Sequence, residues 1–174
     1  IDNKFKADVL PSWDGDARTA VNYFAKLRRW ADLGGRMPYQ IGQYAPVRFT
    51  GSVLDWWDNI TPQARALFSQ NAHTLMAGIR YAYLSESWSR KLVEYFNKMD
   101  FREQGFEREK PVEFLRRRAV LCSALWNYND RDKVYQILVR APVEWLAILN
   151  EHTVPNVDVL FRLATELEQQ LTVA

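Results

Sequence analysis

The chain has 174 residues, of which 48% are hydrophobic and 14% aromatic, enough to bury a sizeable core and to exclude disorder over most of its length. Its 23 basic residues against 21 acidic ones leave a net charge of +2, which excludes the large positive excess of a dedicated nucleic-acid binder. The balance is uneven, with 10 basic and 7 acidic residues up to Ser85 and 13 and 14 from Glu86 onward.

Ala17, Ala20, Phe24, Leu27 and Ala31 recur at three- and four-residue steps, which predicts a helix over 17–33 that stops at Gly34-Gly35. Ile41, Ala45 and Phe49 carry the same spacing over 39–49, with Pro46 placed to kink or split that helix. A short helix is predicted over 52–60, bearing Val53, Leu54 and the pair Trp56-Trp57. Thr61-Pro62 reads as an N-cap followed by proline at the first helical position, opening another short helix that runs to Ser69. Leu75, Ile79 and Tyr83 mark a fifth, ending near Leu84.

Residues 85–89 are polar apart from Trp88, and a division into lobes 1–85 and 86–174 is placed there. Trp88, Leu92, Tyr95 or Phe96, and Met99 define the next helix, followed by a highly charged link over 100–110. Pro111 then opens the best-patterned helix, with Val112, Leu115, Ala119, Cys122 and Trp126 at helical steps. Asn129 is suited to cap a helix carrying Val134, Ile137 and Leu138, which Pro142 interrupts before a short successor over 145–149. The last helix is predicted over 156–171, with Leu160, Leu163, Leu167 and Leu171 on one face. No stretch alternates apolar and polar residues long enough to predict a strand, so the fold class is all-α, two small lobes of about five helices each.

Catalytic chemistry finds little to stand on. The two histidines, His73 and His152, fall in different lobes, and the single cysteine, Cys122, allows neither an internal disulfide nor zinc-knuckle spacing. A reducing, cytoplasmic setting fits that cysteine count. No Gly-rich phosphate loop, GxSxG elbow or HExxH is present. No catalytic residue, metal ligand or cofactor is therefore assigned, and the chain is expected not to be an enzyme. No apolar run is long enough for a membrane span, and the chain begins without methionine, as a piece of a longer polypeptide would.

Trp56-Trp57 could offer a stacking platform for bases. Neighbouring helical positions, however, differ by about 100°, so one indole is expected in the first lobe's core and the other at its edge. Arg116, Arg117 and Arg118 spread around their helix for the same reason and cannot share one narrow face; at least two are expected to be solvated.

The order of these features resembles the capsid region of Gag polyproteins from gypsy-type LTR retrotransposons, relatives of the domesticated protein Arc and of retroviral capsids. The similarity runs from Leu10-Pro11-Ser12-Trp13-Asp14-Gly15-Asp16 through Tyr23-Phe24 and Trp30 to Phe49-Thr50-Gly51-Ser52-Val53-Leu54-Asp55-Trp56-Trp57. It continues in Trp88 to Met99, Phe101-Arg102-Glu103-Gln104-Gly105 and Pro111-Val112-Glu113-Phe114-Leu115-Arg116-Arg117, which are similar to the major homology region of retroviral capsids. Two departures stand out: the 104–111 link is long, leaving the family's glutamate open between Glu107 and Glu109, and the 61–69 helix looks like an addition.

The resemblance implies a structural protein that assembles with itself, the first lobe in rings of five or six and the second as a dimer, into a virus-like particle enclosing RNA. RNA would be held mainly by a downstream basic or zinc-knuckle segment outside this chain. The competing expectation is a domesticated Gag protein acting as a peptide-binding or RNA-transporting interaction module. The resemblance also implies that Gln104, Gly105 and Arg117 form a structural hydrogen-bonding cluster. Tyr23 and Trp30, seven residues apart on one flank of the first helix, are expected at the ring contact, the alternative being that they complete the core. Tyr135 and Val139 form a second stripe on the 130–139 helix and are expected at the two-fold dimer contact, the alternative being that they pack against the Trp145 helix.

Overall fold

The computed structural model describes residues 5–150 and 152–173. The fold is all-α: among the described residues there is no strand, only an isolated parallel bridge between Trp13 and Phe49. The chain divides into two compact units, Ile1–Arg90 and Lys91–Ala174.

After a 3₁₀ turn, Ala7–Val9, the first unit runs on as an extended leader sewn to the chain ahead of its third helix. The Trp13 N–H donates to the Arg48 carbonyl at 3.4 Å, and the Thr50 N–H donates to the Trp13 carbonyl at 2.9 Å. The close approach requires Gly51, which has φ +57° and whose missing Cβ would lie 2.7 Å from the Asp14 carbonyl oxygen. Asp16 then caps a 3₁₀ turn, Ala17–Thr19, that leads into α1 (Ala20–Ala31). Pro46 splits the predicted 39–49 helix: α2 (Met37–Tyr44) gives way to a 3₁₀ turn, Ala45–Arg48, as expected where an internal N–H is missing. α3 (Gly51–Asn59) follows, then α4 (Pro62–Phe68), whose N-cap Thr61 accepts from the Ala64 N–H at 3.1 Å. A reciprocal Asn71–Thr74 box starts α5 (Ala72–Gly78), which widens into a π-helical turn, Ile79–Tyr83. That turn sends the Tyr83 hydroxyl to the Gly15 carbonyl at 2.8 Å, tying the unit's end to its leader.

The core of this unit is aromatic. Trp13 stacks on Tyr23 with centroids 4.8 Å apart and meets Phe49 and Tyr83 edge-on. α1 buries Ala20, Tyr23, Phe24, Leu27 and Ala31. The expectation that Tyr23 serves an interface is therefore corrected: at 3% exposure it is a core residue, because it lies three residues after Ala20 and four before Leu27 and so widens the core stripe. Trp30 is half-buried and packs on the core from its edge. Val53 is the fully buried residue of α3, while Trp56 and Trp57 are both half-buried against the same core.

Residues 85–89 are not a linker. They form the first turns of α6 (Ser85–Lys98), a single helix whose polar start hides its periodicity, and the boundary between the units falls inside it. Trp88 belongs to the first unit, with its ring edge-on to Phe24 and its Nε1–H on the Ala17 carbonyl at 3.2 Å.

The second unit is arranged around α7 (Pro111–Leu125), which buries ten residues on several sides and is packed by α8 (Asp130–Leu138), α9 (Val157–Glu166) and α10 (Glu168–Thr172). The predicted last helix breaks at Leu167, where ψ reaches 21°. The predicted 145–149 helix is instead a 3₁₀ turn, Val143–Ala147, from which Trp145 enters the core and donates to the Leu171 carbonyl at 2.8 Å.

Candidate functional site

The three consecutive arginines of α7 have three different fates. Arg116 is exposed, Arg117 is half-buried in a carboxylate cluster, and Arg118 is fully buried. The expectation that at least two are solvated fails because α7 is a central helix, with neighbours on more than one face, rather than a surface helix with one buried stripe.

The charged link over 100–110 folds back on Arg117 by successive tight turns. The Glu103 N–H donates to the Asp100 carbonyl, the Phe106 N–H to that of Glu103, and the Glu109 N–H to that of Phe106. Arg102, with φ +58°, and Gly105, with φ +91°, supply the left-handed positions these turns need. Glu109, 7% exposed, receives two parallel bonds from the Arg117 fork, Nε to Oε2 and Nη2 to Oε1, both at 2.9 Å. Nη1 of Arg117 reaches Glu103 at 3.0 Å, and Nη2 also reaches the Asp100 carbonyl at 3.3 Å. The guanidinium lies 3.7 Å over the Phe106 ring. Burial alone would lower the Arg117 pKa, but the hydrogen bonds it donates to Glu109 and Glu103 outweigh it and the net direction is upward.

Of the two glutamates left open by the sequence, Glu109 is thus the partner of Arg117. Glu107 turns outward and accepts from the Gly105 N–H at 2.8 Å, which holds its own carboxyl below the ordinary range. Gln104 and Gly105 are exposed, and the bonds of Arg117 go to Glu103, Glu109 and Asp100 rather than to Gln104. The expected cluster therefore has a different membership: its acceptors are carboxylates and a carbonyl, because a guanidinium fork pairs with carboxylate oxygens more strongly than with a neutral amide. Glu103, next to Gln104, and Glu109 are the members the sequence left unassigned. Their signal was the pairing of a link rich in acid with a helical arginine. Gly105 still lines, with Phe106 and Arg117, an open hollow of 620 Å³ below the link.

The link is also anchored at its start. The Asp100 carboxylate pairs with Arg140, just past α8, and Phe101 lies edge-on to Trp145 and Phe114, 4.8 and 5.8 Å away. α8 begins at the Asn129 cap and buries Val134, Ile137 and Leu138. Tyr135 and Val139, one turn apart, are 46% and 48% exposed and do not pack into this unit's core.

Cys122 is buried, and burial pushes its thiol pKa up, away from a reactive thiolate. His73 and His152 are exposed and belong to different units. Among the described residues no group of three His, Cys, Asp or Glu side chains could hold a metal ion, and no helix is long and apolar enough to cross a membrane. Set against known proteins, the chain matches no family model, no curated protein and no solved structure.

Proposed function

We propose that the chain is a structural module of Gag capsid type whose partner is another copy of itself, acting as a building unit of a virus-like particle rather than as an enzyme. The observation that carries the reading is the Tyr135–Val139 pair. α8 is capped and firmly packed along one face, yet it keeps an aromatic and an aliphatic side chain half-exposed one turn apart on the other. An isologous contact uses such a patch twice about its symmetry axis. A weak contact of this kind suffices for a shell, because closure multiplies it.

The Arg117–Glu109 fork supports the family side of the proposal through Arg117 alone, the one of the three expected cluster residues that stands at the centre of a hydrogen-bonded cluster. Rings formed by the first unit, with Trp30 at its edge, and enclosed RNA held by a downstream segment complete the reading. The test is sedimentation of the full chain across protein and salt concentration, with negative-stain microscopy of the same samples. Concentration-dependent dimers or particles, lost on Tyr135→Asp in a variant that keeps its helicity, are expected. A chain that stays monomeric at millimolar concentration in both low and high salt removes the proposal.

A further inference from the structure

Arg118 is 0% exposed, and among the described residues no carboxylate pairs with it. Its Nε donates to the Ile137 carbonyl at 2.8 Å, its Nη2 to the Gln136 carbonyl at 2.7 Å and its Nη1 to the Phe96 carbonyl at 2.6 Å. The guanidinium carbon lies over the Phe96 ring, 3.7 Å from the centroid. Phe96 is in the last turn of α6, and Gln136 and Ile137 are in the last turn of α8. The Gln136 and Ile137 carbonyls lie where intrahelical donors run out, that of Phe96 has a long bond from the Met99 N–H at 3.4 Å, and the negative ends of two helix dipoles favour a cation there. Burial pushes the Arg118 pKa down to about 10, which leaves the side chain charged at neutral pH.

α8 has nine residues, a length at which a helix is marginal without tertiary support. Its N-terminus is secured by Asn129, whereas at its C-terminus Arg118 supplies donors from outside the helix. We infer that Arg118 is the positioning residue of α8: gripping the α8 carbonyls from α7 while anchored on α6, it fixes the rotation of α8 about its own axis and thereby the direction in which Tyr135 and Val139 face. The consequence for self-association rests on the capsid-type reading above, while the pose of α8 stands apart from it. Lysine cannot replace this side chain, because an ammonium is a point donor that neither spans the ends of two helices nor stacks flat on a ring.

Three measurements on the full chain test the inference. In the parent protein, nuclear magnetic resonance of the Arg118 guanidinium should show separately resolved, slowly exchanging Nε and Nη protons; a freely rotating, fast-exchanging group overturns it. In Arg118→Lys, amide exchange over residues 136–141 should accelerate at least tenfold relative to α9, and the self-association constant should weaken at least tenfold although Tyr135 and Val139 are untouched. Parent-like exchange in α8, or an equal acceleration throughout the second unit, overturns the positioning role. Should the parent prove monomeric, the capsid-type reading falls and the exchange of α8 alone decides the inference. Should Arg118→Lys fail to fold, Phe96→Leu removes the stacking plate and leaves all three carbonyls in place: selective loss of α8 protection supports the inference, and unchanged protection overturns it.

Discussion

In the first unit Trp13, Tyr23, Phe24 and Phe49 meet ring to ring, whereas in the second unit two neighbouring arginines collect the backbone and carboxylate oxygens of the link and two helix ends. Ring contacts of the first kind contribute about 0.5 to 1.5 kcal/mol each beyond area burial and are mutually redundant. Charge-assisted bonds in the interior behave differently, since removing one partner leaves the other desolvated and unmatched. The first unit even contains a milder version of the second's device. Arg65 donates to the carbonyls of Trp57, Asp58 and Ile60 at the end of α3, but it is only half-buried and one of its bonds is 3.5 Å long. With similar acceptors and unequal burial, the two arginines differ chiefly in what their loss leaves behind.

Arg118→Met should show the largest effect. Three carbonyls at two helix ends lose a buried donor, and a loss of about 3 to 5 kcal/mol is expected in urea unfolding of the full chain. A variant within experimental error of the parent would make the second unit no different in kind from the first. Arg117→Ala comes next, at about 2 to 3 kcal/mol, because Glu109 is left buried without its fork while Glu103 can turn to water. RNA affinity, read by filter binding, should stay at the parent value in this variant. A folded Arg117→Ala protein that loses RNA binding while keeping its unfolding midpoint would reassign the cluster from scaffold to ligand site.

Trp57→Ala sharpens the comparison from the other side. A fully buried tryptophan would cost about 3 to 5 kcal/mol, but Trp57 is half-buried, with an edge contact to Phe49 and a tilted one to Trp56, so about 2 kcal/mol is expected from the same unfolding curves. The smallest effect belongs to Tyr23→Phe. The Tyr23 hydroxyl is buried with no hydrogen-bond partner among the described residues, and burial pushes its pKa upward. Removing it should leave the midpoint unchanged or raise stability by up to about 1 kcal/mol, measured by thermal unfolding. A clear loss would reveal a polar role at the heart of an otherwise aromatic core.

The parts of this fold legible in the sequence are those governed by local chemistry. Thr61-Pro62 and Asn129 cap helices by hydrogen bonds within three residues, and Pro46 breaks a helix by lacking an N–H. The start of α6 was hidden because Ser85, Glu86 and Ser87 carry no apolar period, and the break at Leu167 because the leucine stripe runs straight through it. At the candidate site, the Arg117 pairing could be expected but its acceptors could not, since reaching Glu103 and Glu109 depends on turns whose path no periodicity encodes. Arg118 did leave a trace. It lies four residues after Phe114 and four before Cys122, both buried, so it occupies an apolar stripe where a cation is out of place. An identity-blind count of charges reads such a residue as surface.

Arg117 and Arg118 are adjacent in sequence and serve two faces of one helix about 100° apart, which sets how this segment tolerates changes of length. A single residue inserted or deleted between Pro111 and Arg117 would rotate every later side chain of α7 by about 100°, swinging the fork away from Glu109 and the buried guanidinium away from both helix ends together. The link carries its own constraint, because the turns that close Glu103 on Phe106 and Phe106 on Glu109 set where Glu109 stands beneath the fork, with the Phe106 ring under Arg117. Lineages of this sequence should therefore show no length variation in the first two turns of α7, and an epitope inserted between Glu107 and Arg108, inside the turn that closes Phe106 on Glu109, should loosen the fork without rotating Arg118 away from its helix ends.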